Sequence, residues 1–100
     1  MKAQGITGYV IVRSTNAGCF AGDLMSRSGD GSVVLKNARR LWYWAGAATL
    51  SQLAMEGTLK PAACKFPCPV AEQEVLGVIE ILKVTEKARK SIQEVPVWRA

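Results

Sequence analysis

Ser28-Gly29-Asp30-Gly31-Ser32-Val33-Val34-Leu35-Lys36 is the stretch that decides how this chain of 100 residues folds. Glycine and aspartate tolerate the positive φ that tight turns demand, so Ser28 to Gly31 predicts the turn of a β-hairpin. The outgoing arm, Ser32 to Lys36, carries Val33-Val34-Leu35 and continues through Asn37 into Arg39-Arg40-Leu41-Trp42-Tyr43-Trp44 as a further strand. On the incoming side, Ala17 to Met25 holds Gly18 and Gly22, which weaken a regular strand but permit a bulge or a close approach of another backbone. Upstream again, Gly8-Tyr9-Val10-Ile11-Val12-Arg13 is β-branched and aromatic and is bounded by Ser14-Thr15-Asn16, so it reads as the first strand.

Downstream, Thr49 is placed to cap a short helix with Gln52 as its capping-box partner, Leu50, Leu53 and Ala54 as its apolar stripe and Gly57 as its end. Residues 58 to 69 contain Pro61, Pro67 and Pro69 and predict an irregular connection anchored by Phe66. Val75 to Val84 is the most apolar run and reads as one buried strand with Gly77 as a bulge. Thr85 then caps a second helix, Glu86 to Gln93, with Ala88 and Ile92 facing inward, and Val95-Pro96-Val97-Trp98 is extended because proline stops the helix. The expected fold is a single α+β domain over residues 1–100, with a small antiparallel sheet of about five strands and two short helices.

The net charge of +5 is unevenly placed: residues 1–50 carry six Lys or Arg against two acids, residues 51–100 seven against six. A basic first half suits an anionic partner, although such a charge also keeps a small domain dispersed. No apolar run approaches the roughly 20 residues that span a bilayer, and Met1-Lys2-Ala3-Gln4-Gly5 lacks the apolar stretch of a secretory signal. A cytoplasmic protein without membrane contact is therefore expected. Three cysteines, Cys19, Cys64 and Cys68, make a disulfide framework improbable. Histidine is absent, which removes the commonest general base and nitrogen ligand, and no pair of acids stands out by spacing. No metal, cofactor or catalytic residue is expected.

The segment from Arg39 to Trp44 sets two guanidinium groups against three large rings. Arginine offers planar donors to phosphate and indoles offer stacking faces, so Arg39, Arg40, Trp42, Tyr43 and Trp44 form the candidate wall of a nucleotide-like site. Gly18 and Gly22 could add backbone amides, although neither lies in a GxGxxG or Walker pattern. On a strand, Arg39, Leu41 and Tyr43 take one face while Arg40, Trp42 and Trp44 take the other. The competing reading is a core strand whose indoles are interior and whose arginines reach back to water. Lys83, Lys87, Arg89 and Lys90 read as a solvated helix face with pairs such as Glu86 to Lys90.

At Leu35-Lys36-Asn37-Ala38-Arg39-Arg40-Leu41-Trp42-Tyr43-Trp44-Ala45-Gly46-Ala47-Ala48-Thr49-Leu50-Ser51-Gln52-Leu53-Ala54 the chain resembles a family of small, largely uncharacterised tailed-bacteriophage proteins. Ala17-Gly18…Ala21-Gly22, Gly57…Lys60-Pro61…Cys64-Lys65-Phe66…Pro69-Val70, Ile79-Glu80-Ile81…Val84-Thr85-Glu86 and Val95-Pro96-Val97-Trp98 extend the resemblance nearly end to end. It implies a protein acting on host systems or on the phage particle, and it assigns no catalytic residues. The leading expectation is a non-enzymatic counter-defence protein in the host cytoplasm, a homo-oligomer that sequesters a nucleotide-derived immune signal. The alternatives are a protein-interaction or virion-associated accessory protein that binds a host protein or a virion component through Trp42 to Trp44, and a nucleic-acid-binding protein.

Overall fold

The computed structural model describes residues 6–100; the reading of Met1 to Gly5 lies outside them. Five strands, β1 (Ile6–Ser14), β2 (Gly18–Arg27), β3 (Val33–Arg40), β4 (Val70–Val75) and β5 (Val78–Thr85), form one antiparallel sheet in the order β4-β3-β2-β1-β5. Helices α1 (Leu50–Glu56) and α2 (Glu86–Glu94) complete an α+β fold, with a single 3-10 turn at Pro61–Ala63. The hairpin expected at Ser28 to Gly31 closes as read: Ser28 N donates to Ser32 O at 2.9 Å, and Asp30 Oδ1 accepts from both the Ser32 amide and its hydroxyl. Those two bonds hold the Asp30 carboxyl below its ordinary pKa.

β4 and β5 are the two edges of the sheet, yet only Leu76 and Gly77 separate them in sequence. The sheet must therefore curl until its edges converge at that corner. The corner is tied down by Ser14 Oγ donating to Leu76 O at 2.6 Å, Thr15 N to Gly77 O at 2.9 Å and Val78 N to Gly31 O at 2.8 Å. Gly77, at φ 68, makes the turn. The expectation of one buried strand from Val75 to Val84 is thus corrected. The run splits at Gly77 into two edge strands, most of whose residues are exposed or half-buried.

Two bulges in the β2–β3 ladder help the curl, since an extra residue on one strand bends it and increases its twist. Met25 is extra on β2, and Asn37 with Ala38 opposes Gly22 alone. Asn37 sits at φ 54, a left-handed conformation that asparagine tolerates better than most residues. This bulge presses β3 onto Gly22, where an added Cβ would lie 3.0 Å from Lys36 O and 3.1 Å from Ala38 Cα. Gly22→Ala is expected to cost about 1–3 kcal/mol through overpacking, read as a lower urea midpoint at unchanged slope.

Each face of the sheet has its own core. Val10, Val12, Phe20, Val33, Leu35, Ala38 and Val75 fill the inside of the curl with no helical residue among them. Tyr9, Ile11, Ala21 and Val84 on the other face meet Leu53 and Ala54 of α1, Ala88 and Ile92 of α2, and Phe66. Both helices begin as the sequence predicts: Thr49 Oγ1 accepts from Gln52 N, and Thr85 Oγ1 accepts from Ala88 N while donating to Met55 O. Gly57 ends α1 at φ 79. No helix among the described residues is long and apolar enough to cross a membrane.

Candidate functional site

β3 stops at Arg40, not at Trp44. Leu41 N still reaches Cys19 O at 2.9 Å, but the chain then leaves the sheet and runs beside the 58–65 connection instead. Tyr43 and Lys65 exchange backbone hydrogen bonds as an isolated antiparallel bridge, and Phe66 bridges Val97 in parallel, with Trp98 N donating to Phe66 O at 3.0 Å. Three short extended pieces around residues 42–43, 65–66 and 97–98 are therefore laced side by side.

The alternation expected across Arg39 to Trp44 survives in burial as far as Trp42. Arg39 and Leu41 are buried while Arg40 and Trp42 are exposed. Arg39, only 3% exposed, does not face a ligand site. Its Nε donates to Pro67 O (3.2 Å), Nη1 to Ile92 O (3.1 Å) and Val95 O (2.7 Å), and Nη2 to Phe66 O (2.8 Å) and Pro96 O (3.5 Å). A guanidinium has five N–H donors, so each one meets a carbonyl and none is left for phosphate.

This corrects the reading of Arg39 as a ligand residue, and the physical reason is local. The last turn of α2 contains no basic residue, and Arg39 supplies from β3 the positive charge that the carbonyl end of a helix favours. Burial lowers its pKa, opposed by its charge interaction with Tyr9. Burial also pushes Tyr9 up to about 12, with Arg39 pulling the other way.

Arg40 is exposed, stacks over Phe20 at 4.5 Å and spends one donor on Ala17 O at 2.8 Å. It lies in a cleft of about 430 Å³ lined also by Asn16, Phe20 and Gln73, in which it is the only cation among the lining residues. Trp44 is half-buried and packs against the helix-side core, so it is a packing residue and not part of a displayed face. Gly18, at φ 99 with open space around it, ends the β1–β2 turn. Gly22 is covered by β3, which corrects its reading as an amide donor to a ligand.

Trp42 and Tyr43 remain, 59% and 49% exposed, and the fold joins to them two residues the sequence reading did not select. Trp98, 44% exposed, stacks on Trp42 with ring centroids 5.2 Å apart and planes 18° from parallel. The Lys65 ammonium lies 5.5 Å from the Trp42 ring, 5.8 Å from Tyr43 and 5.6 Å from Trp98. Among the described residues Lys65 has no carboxylate partner, the ion pairs being Arg13–Glu80 and Arg89–Glu86. The sequence signal that could have found Lys65 is weak, because its place opposite Tyr43 depends on a bridge between two irregular segments.

The chemistry of this face is stacking plus the positive charge of Lys65. The three cysteines are free thiols, and burial raises the pKa of Cys19. Among the described residues no three His, Cys, Asp or Glu side chains converge where a metal could be held.

Fold and face together define a small α+β domain that displays an aromatic and cationic surface beside a curled sheet. Residues 7–92 match the family described as Domain of unknown function (DUF6948), and the chain belongs to that family. No curated protein and no solved structure matches it.

Proposed function

We propose that this chain is a non-enzymatic binding protein that holds a nucleotide-like anion on the face formed by Trp42, Tyr43, Lys65 and Trp98. The observation that carries the reading is the Lys65 ammonium lying within 6 Å of three exposed ring centroids with no carboxylate partner among the described residues. An exposed cation–π contact is worth about 0.5–1 kcal/mol. A hydrogen bond to an ionised group is worth about 1.5–3 kcal/mol. Lys65 therefore gains by swinging from the rings to a phosphate, and a base stacked on an indole adds about 1–3 kcal/mol. Of the settings the sequence suggests, a phage-encoded protein that sequesters a nucleotide-derived host immune signal in the cytoplasm is the one such a face would serve.

The test is tryptophan-fluorescence quenching and thermal shift with a panel of cyclic nucleotides and cyclic ADP-ribose isomers, followed by heating and recovery of the compound. One member should raise the melting temperature and return chemically intact. Trp42→Ala and Lys65→Ala, both at exposed positions, should weaken its binding by roughly tenfold or more while costing the free protein no more than about 1–2 kcal/mol, the worth of the exposed ring contacts removed. Absence of any response across the panel would remove the proposal. Binding that collapses steeply with salt would point to nucleic acid, and a salt-insensitive protein partner to an accessory role.

A further inference from the structure

We infer that a second copy of this chain docks the outer edge of its β4 along the outer edge of β5, so that the sheet continues from one copy into the next. Among the described residues the strand order leaves β4 and β5 with one ladder partner each, β3 and β1, and only the Val78 amide at the start of β5 is taken by the hairpin, at Gly31 O. An edge strand presents a row of main-chain donors and acceptors, which is the template that strand addition uses. β5 is eight residues long, contains no proline and exposes Ile79; beside it Leu76 is exposed at the corner. β4 offers six residues, Val70 to Val75.

Charge makes the two edges unlike and mutually suited. A groove of about 300 Å³ runs between β5 and the β2–β3 hairpin, and its charged side chains are Arg27, Glu80 and Lys83. Glu80 is taken by Arg13 at 2.9 Å, and the groove's two cations form no ion pair among the described residues. β4 carries Glu72 and Glu74 and no cation, Glu72 standing across the ladder from Lys36 and Glu74 across from Val34. Glu74 is thus the β4 carboxylate whose ladder partner is uncharged.

A β4-to-β5 contact is heterologous: each copy offers one edge and receives on the other. Such contacts close into a ring or run on as a filament, according to the rotation between copies. The contact uses none of Trp42, Tyr43, Lys65 or Trp98, so it stands or falls apart from the ligand reading.

Light scattering and native mass spectrometry of the full chain, over a micromolar concentration series, test it. The mass should correspond to two or more copies. Lys83→Glu and Glu74→Lys, both at exposed positions, should each weaken association by roughly tenfold or more, while the two together restore it. Circular dichroism confirms that each variant is folded. A monomer mass throughout, association indifferent to both single reversals, or no recovery in the double variant would overturn the inference.

Discussion

Arg39→Ala is expected to lower the unfolding free energy by about 3–5 kcal/mol, a large share of what a domain of this size possesses. The five N–H groups of Arg39 serve five carbonyls from three segments: Phe66 and Pro67 of the connection, Ile92 in the last turn of α2, and Val95 and Pro96 beyond it. The bonds to Phe66, Ile92 and Val95 are buried; Phe66 O keeps the Trp98 amide and Ile92 O the Val95 amide, so truncation takes from Val95 O its donor and from the other two their charge-assisted bond, where water enters poorly. A buried carbonyl left without a donor costs about 1–3 kcal/mol, and the charge-assisted bonds lost from the other two add to it. Arg39→Lys should recover little, because an ammonium has three donors on one nitrogen and cannot reproduce the planar fork. Urea denaturation checks both variants. If Arg39→Ala moved the midpoint by no more than an ordinary surface substitution, the guanidinium would not be what joins these segments.

How much of this was legible in the sequence depended on whether the deciding contact was local. The hairpin at Ser28 to Gly31, both helix caps and the end of α1 at Gly57 follow from residues within a few positions of one another, and they lie where the sequence places them. Phe66 as the anchor of the connection was legible too, since a large apolar residue among prolines must be buried somewhere. The split of Val75 to Val84 was not, because the apolar run continues unbroken through Gly77 and only the closing of the curled sheet turns the chain there. β4 was missed for a related reason: Val-Ala-Glu-Gln-Glu-Val pairs on one side and is largely solvated, so it lacks a strand's usual apolar content.

The candidate site divides in the same way. Trp42 and Tyr43 were selected for their chemistry and are displayed, whereas Arg39 was selected by the same chemistry and is buried. Nothing within the segment separates these outcomes. The distinction comes from α2, whose last-turn residue Ile92 lies 53 positions further on and whose last turn lacks a cation of its own. Lys65 and Trp98 complete the displayed face only because two isolated bridges bring distant irregular segments beside Tyr43.

Phe66→Ala should couple those two halves of the molecule, costing about 3–5 kcal/mol in stability and loosening the displayed face in the same variant. The Phe66 ring is fully buried in the helix-side core and lies 5.5 Å from the Arg39 guanidinium carbon. Its carbonyl accepts both from Arg39 and from the Trp98 amide, and its neighbour Lys65 bridges Tyr43. Removing the ring leaves a cavity beneath the strap that carries Lys65, and the stacked geometry of Trp42 and Trp98 depends on that strap. Near-ultraviolet circular dichroism reads the indole pair directly, and the Phe66→Ala spectrum should lose the signal that Trp42→Ala loses at a much smaller cost in stability. Phe66→Leu, which keeps most of the volume, should cost less than about 1.5 kcal/mol from packing and preserve the indole signal. A Phe66→Ala protein that is destabilised yet keeps the full indole signal would show that the face is held by the exposed segments alone.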